Sequence, residues 1–213
     1  LEETVQKIGR IEINAQAPLH VSSSPISRYK VAFPVRQKEG WSRPAIGYFQ
    51  QGSHDIVNIP SCPIIPHNIN EVMNFNRDNA PTLDVKGYDP DLETGHLEQI
   101  ILRSSYENQE IQTIFVMRPG SPFQAAQELS HRLTREYPKV TGCLWTSGSR
   151  TSKRVRAAGK YNRTKQTMNN LETDQLEITL GGSMKVLSGQ GYMMENLAGR
   201  QFRVSAGSFF QVN

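Results

Sequence analysis

The chain has 213 residues, 37% hydrophobic and 21% charged, with a formal net charge of +4. That length suits one large domain or one and a half, with enough apolar material to bury a core without disulfides or metal. Two cysteines far apart in sequence, Cys62 and Cys143, exclude a disulfide framework and suit a reducing compartment, and no apolar run is long enough to span a membrane.

The chain opens without Met and without a basic-then-apolar leader pattern, so no secretory signal is expected. Leu1, Val5 and Ile8 recur at helical spacing with Gly9 behind them, so the chain is expected to begin inside a helix, as a fragment would. Residues 26–36 read as a strand with partial alternation. Residues 45–50 and 54–59 read as a hairpin across Gln51-Gly52-Ser53, closed off by Pro60 and Pro63. A helix is predicted over 67–77. The stretch 78–95, rich in Asp, Pro, Gly and Asn, reads as loop with a short strand over 83–85.

Residues 96–103 and 111–118 form the next pair of strands, joined by the polar turn 104–110. The clearest helix follows. Ser121 is placed as its N-cap, Pro122 suits the first helical position, and Gln124 would complete a capping box. Phe123, Ala126, Leu129, Leu133 and Tyr137 make one apolar stripe, and Pro138 prevents continuation. Strands are predicted at 140–146, 176–180, 184–187 and 201–204. The fold class expected is α+β, a mixed, mainly antiparallel sheet with two or three helices.

Charge is unevenly spread. Between 137 and 171 lie Lys139, Arg150, Lys153, Arg154, Arg156, Lys160, Arg163 and Lys165, with no Asp or Glu, and the rest of the chain carries more acid than base. Such a segment attracts phosphate backbones, each contact releasing counterions; a solvated surface loop would have the same composition. Only Tyr161 is interleaved within 150–165, so no base-stacking platform is visible there. No His/Cys/Asp cluster has metal-like spacing, and His54 reads as structural.

The last nine residues, Ser205-Ala-Gly-Ser-Phe-Phe-Gln-Val-Asn213, place Phe209, Gln211 and Asn213 on one face of an extended strand and Phe210 and Val212 on the other. One face could bury while the other offers a ring and two amides to a planar polar ligand; an ordinary terminal strand is the alternative. This segment closely resembles the Ser-Phe-Phe-Gln-Val-Asn signature of the RNA uracil-5-methyltransferase family, which modifies ribosomal and transfer RNA. Arg28-Tyr29-Lys30-Val31-Ala32-Phe33-Pro34-Val35 looks like that family's Tyr-Arg-Asn-Lys…Pro-Val strand. Gly47-Tyr48-Phe49, then Ser53-His54-Asp55-Ile56-Val57-Asn58-Ile59 and Cys62-Pro63-Ile64, is similar to its next hairpin. Gly95-His96-Leu97 leading to Arg103 is similar to its Gly-x-Leu-Arg strand. The four stretches stand in the family's order.

The resemblance implies a chain divided into a central α+β RNA-binding domain, 1–204, with a basic insertion at 147–174, and, at 205–213, the first residues of a truncated domain that binds S-adenosylmethionine. In the family a cysteine thiolate adds to C6 of the target uracil, C5 takes the methyl group from S-adenosylmethionine, and a base removes the C5 proton. The catalytic nucleophile and base would then lie beyond Asn213, and the fragment alone would be inactive. By the same resemblance Gln211 lies at the cofactor and RNA edge of the active site and Phe209 is a ring near the flipped base, where aromatic contact can offset part of the cost of unstacking it, while Asn213 is expected to bind RNA. Arg28 and Lys30, on one strand face, could contact phosphates or simply be solvated.

Ser61-Cys62-Pro63 lacks the Asn of the family's nucleophile motif and lies far upstream of it. Cys62 instead matches the fourth ligand of a four-iron four-sulfur cluster found in some members; a plain buried thiol is the other reading. Cys143 reads as core. The partners implied are RNA, either rRNA or tRNA, and no membrane, for a cytoplasmic monomer. A stand-alone, non-catalytic RNA-binding module is the alternative function.

Overall fold

In a computed structural model of the chain, residues 2–10, 12, 24–51, 53, 55–147, 184–208 and 210 are described. The expected strand at 176–180, the basic residues Arg150 to Lys165, His54, Phe209, Gln211 and Asn213 lie outside them. The described elements are helix α1 (Glu2–Gly9), strands β1 (Lys30–Arg36), β2 (Ala45–Phe49) and β3 (Ile56–Asn58), helix α2 (His67–Asn79), strands β4 (Leu97–Ser104) and β5 (Ile111–Met117), helix α3 (Phe123–Glu136), and strands β6 (Val140–Ser147), β7 (Lys185–Gly189), β8 (Tyr192–Leu197) and β9 (Arg200–Ser205).

Seven strands form one sheet in the order β3-β2-β1-β4-β5-β6-β7, and β8 and β9 form a separate ribbon. Every pairing is antiparallel except β5 with β6, the two strands that α3 connects. A parallel pair needs a crossover, and the helix supplies it. The mixed, mainly antiparallel α+β fold is the one expected from the sequence, with three helices.

Side chains alternate across a strand, so the sheet has two faces to cover. Val31, Phe33 and Val35 of β1, Leu102 of β4 and Phe115 of β5 pack with Ile69, Val72 and Met73 of α2 and Ala126, Leu129 and Leu133 of α3. On the opposite face Ile101, Ile114, Val116 and Leu144 pack with Ala206, just past the ribbon. Every residue of β5 is buried because both faces are covered, and strands of that kind read as continuous apolar runs.

Several elements differ from expectation. The 26–36 strand begins only at Lys30, because Ser27 and Arg28 both donate their amides to the Ile64 carbonyl, at 2.9 and 3.0 Å, instead of to a ladder. Arg28 and Lys30 therefore share no strand face. The strand expected at 83–85 is replaced by a 3-10 turn, Ala80–Leu83; Pro81 enters the turn and Asp84 ends it with φ +57°, while Val85 bonds back to the Ala80 carbonyl. Ser121 does not cap α3. Its hydroxyl donates to the Arg118 carbonyl, and Pro122 takes the cap position with no side-chain bond. The apolar stripe of α3 is as expected: Ala126, Leu129 and Leu133 are buried and Tyr137 packs against them. Gly95 explains its own place in the sequence. It has φ +85°, and a Cβ there would lie 2.1 Å from the Gly87 carbonyl oxygen.

The ribbon was only half legible, since 201–204 was expected and β8 was not. Its turn, Ala198-Gly199, has positive φ at both residues, +52° and +73°, the geometry that lets a two-residue hairpin follow strand twist.

Candidate functional site

The site begins at the end of the sheet where β1 and β5 start and β4 stops. The register sets Lys30 opposite Arg103, and Arg103 opposite Gln112, in a row across three strands. Arg103 is only 4% exposed. One of its terminal nitrogens donates to the Ser205 carbonyl at 3.2 Å and the other to the Ser208 carbonyl at 2.8 Å. The chain between those carbonyls is a turn closed on itself: the Ser208 amide and hydroxyl both donate to the Ser205 carbonyl, at 3.1 and 2.8 Å. Ala206 is buried in the second-face cluster, and the Phe210 ring meets Phe202 of β9 at 6.0 Å between centroids. The 205–208 turn is thus held on the sheet by the bonds from Arg103 and by the packing of Ala206.

Among the described residues neither Arg103 nor Lys30 joins an ion pair. Burial pulls the Arg103 guanidinium down from its ordinary pKa. Burial, then the positive charge of Arg103, pulls Lys30 down as well. Gln112 is fully buried, and among the described residues neither of its amide atoms has a partner. An unpaired buried amide costs about 1–3 kcal/mol, so the row is not arranged for fold stability alone.

The ribbon closes over this corner through the β4–β5 turn. Both oxygens of Glu195, a fully buried carboxylate in β8, accept the Tyr106 amide at 2.9 and 3.1 Å. Glu110 accepts the Met194 amide at 2.7 Å, and Asn108 donates to the Met194 carbonyl at 3.2 Å. A rim of rings flanks this latch. Tyr106 is 59% exposed and meets Tyr29 edge-on at 5.4 Å, and on the ribbon face away from Glu195 the Arg203 guanidinium lies 3.8 Å from the Tyr192 ring centroid. Burial first, with Tyr106 and Glu195 adding, pushes the Tyr29 hydroxyl up, so it stays a neutral donor at physiological pH.

Of the residues singled out from sequence, Lys30 stands in this row, whereas the exposed Arg28 acts electrostatically on Tyr48 beside Cys62. Cys62 is elsewhere, in the loop after β3. Asn70 of α2 holds that loop by accepting the Cys62 amide at 2.8 Å and donating to its carbonyl at 3.2 Å, and the Tyr48 hydroxyl lies 3.8 Å from the Cys62 sulfur. Burial and the neighbouring Cys62 thiol push Tyr48 up to about 12. A four-iron cluster takes four thiolates. Among the described residues no group of three His, Cys, Asp or Glu side chains comes together, and Cys62 faces a phenol, so these residues do not by themselves fit a cluster. Cys143 is a buried core thiol, as expected, and burial pushes it up to about 12. Gln211, expected to border S-adenosylmethionine, lies outside the described residues.

Sequence reasoning did not single out Gln112, Glu195 or Tyr106 as functional candidates, and named Arg103 only as the end of a motif. A basic residue in a run as apolar as Ile100-Ile101-Leu102-Arg103 was the available signal, because a charge there must be buried with a purpose.

No family model matches the chain. An uncharacterized RNA methyltransferase of Oceanobacillus iheyensis is 26% identical to it over 218 residues, covering 100% of the chain and 41% of that protein. Uncharacterized RNA methyltransferases of Streptococcus pyogenes and Staphylococcus epidermidis are 24% and 26% identical, covering 100% and 87% of the chain and 40% and 35% of their own lengths. The chain therefore spans about two fifths of the first of these curated relatives. Among solved structures, the Pyrococcus abyssi tRNA (uracil-54, C5)-methyltransferase in complex with S-adenosyl-L-homocysteine shares the fold with a TM-score of 0.61 at 17% identity, over 100% of the chain and 43% of that protein. No described helix is long and apolar enough to cross a membrane. The sequence relatives are RNA methyltransferases by name, and the structural match shows a shared fold.

Proposed function

We propose that this chain is the central, RNA-binding portion of an S-adenosylmethionine-dependent RNA (uracil-C5) methyltransferase, the family that its motifs and its RNA-methyltransferase relatives support. The observation that carries the reading is the end-to-end match, over 100% of the chain, to a protein more than twice as long and called an RNA methyltransferase. In this reading residues 1–204 bind rRNA or tRNA, and 205–213 are the first residues of the domain that binds the cofactor. Gln211 contacts S-adenosylmethionine, Phe209 and Asn213 contact the extruded uridine, and Arg28, Lys30 and the basic run from Arg150 to Lys165 contact phosphates. Cys62 would be the last ligand of a cluster whose three other thiolates come from the full protein ahead of Leu1; iron content lost on Cys62→Ser in the full protein tests that assignment separately. The protein acts as a monomer in the cytoplasm.

The geometry agrees with such a role. Backbone contacts position a nucleic acid and rings accept unstacked bases, and the described rim offers both around the turn that leads into 209–213. S-adenosylmethionine supplies the methyl group; what this chain supplies is a surface for the RNA strand and the seat of the pocket's first wall. Methylation at C5 displaces the C5 proton, so RNA carrying tritium at uracil C5 reports the reaction directly. The full-length protein with S-adenosylmethionine should release that tritium to water in step with methyl incorporation into rRNA or tRNA. Tight RNA binding with neither release nor incorporation would favour the stand-alone binding module instead.

A further inference from the structure

We propose that Arg103 is a positioning residue for methyl transfer: its guanidinium sets the seat of the 205–208 turn on the sheet, and with it the starting point of the 209–213 segment. The inference rests on the function proposed above. It takes a residue that the sequence offered only as the end of a strand motif and gives it a task in the reaction.

Arg103 projects from β4, which is paired on both sides, by β1 and by β5. Its two terminal nitrogens reach carbonyls 102 and 105 positions further along the chain. A planar fork that donates to two acceptors three residues apart fixes the turn in rotation as well as in distance, which a point-like ammonium cannot do. Stability does not explain the choice. The turn is already closed by the Ser208 amide and hydroxyl, and the apolar cluster of Ile101, Ile114, Val116, Leu144 and Ala206 lies on the same face of the sheet, where an apolar side chain would have packed without desolvating a charge. Arg103 is instead buried against neutral carbonyls, in no ion pair with a described carboxylate, beside a fully buried Gln112 whose amide has no partner among the described residues. A charge held at such cost where the pocket's first wall begins contributes orientation. Catalysis depends on orientation steeply, since a misplacement of about 1 Å can cost about 100-fold in rate.

The test uses the full-length protein. Arg103→Ala should lower kcat for methyl transfer about 10- to 100-fold while the RNA Kd stays within about 2-fold, and Arg103→Lys, which keeps one donor, should recover part of the loss. A raised KM with unchanged kcat would overturn the proposal, and so would Arg103→Lys matching Arg103→Ala when both fold normally. If Arg103→Ala does not fold, hydrogen exchange in Arg103→Lys decides. The amides of Ala206, Gly207 and Ser208 should exchange about 10-fold faster than in the wild type while those of β5 are unchanged, and equal exchange would refute the clamp. A wild-type protein that methylates no RNA would sink the proposed function, and the exchange comparison would still decide whether Arg103 seats the turn.

Discussion

The ribbon's attachment to the sheet can be weakened at one atom pair. A two-stranded hairpin alone is marginal in water, so β8–β9 depends on what it docks against. Glu195→Ala removes both oxygens that accept the Tyr106 amide. A hydrogen bond to a charged acceptor contributes about 1.5–3 kcal/mol, and the amide left behind would be unpaired at a half-closed turn. The lost methylenes of a fully buried side chain add on the order of 1 kcal/mol. Relief of the buried charge works in the other direction, which sets the expected destabilisation at about 2–3 kcal/mol rather than the full sum. Glu195→Gln keeps an acceptor without the charge and should stay within about 1 kcal/mol of the wild type. Urea denaturation of the purified chain measures both, with hydrogen exchange at Tyr106 and along β8 to show that the ribbon is what loosens. If Glu195→Ala unfolds within about 0.5 kcal/mol of the wild type, the carboxylate is not the latch.

Four further outcomes are expected. Gly95→Ala must place a Cβ against the Gly87 carbonyl at a backbone angle that side chains avoid, so it should cost about 2–4 kcal/mol by denaturant titration. Gln112→Met replaces a buried amide that has no partner among the described residues with an apolar group of similar volume, so the thermal midpoint of the chain should hold or rise. Tyr106→Ala should weaken RNA binding by about 1–3 kcal/mol with an unchanged salt slope, because a lost ring is not a lost phosphate contact. Replacing Arg154 and Arg156 together with Ala should instead flatten the slope of affinity against salt.

Those contrasts show where local pattern was enough to read the chain and where it was not. α3 was legible because Phe123, Ala126, Leu129 and Leu133 repeat with the helix, and the β4–β5 pair because both runs are apolar enough to bury. β8 was missed because one of its two buried inward residues is Glu195, which reads as a solvent-facing charge until its partner is known, and because Ala198-Gly199 lacks the Asn that usually marks such a turn. The short strand assigned to 83–85 failed because Pro81 drives a 3-10 turn there. The site was harder to read than the fold for one physical reason. The bonds that make Arg103, Glu195 and Tyr106 informative join positions roughly ninety to a hundred apart in sequence, and no periodicity encodes a contact of that range.

Lys30 shows how a cost to the fold can report a purpose. It stands in register with Arg103, half-buried, and no carboxylate neutralises either group among the described residues. Its pKa is lowered by burial and then by Arg103. A lysine whose folded pKa lies below its unfolded one opposes folding as long as both states are charged. That opposition fades as pH rises through the folded value toward the ordinary lysine range. Lys30→Met should therefore raise the thermal midpoint at neutral pH, with a gain that shrinks on the alkaline side. In the full-length protein the same change should weaken RNA binding and reduce the salt slope by about one. A lysine that served the fold would lose stability on replacement, and an idle surface lysine would change neither measurement. Only a cation kept in place for an arriving phosphate moves the two in opposite directions, and a Lys30→Met protein that is less stable at neutral pH, or that binds RNA unchanged, would refute that account.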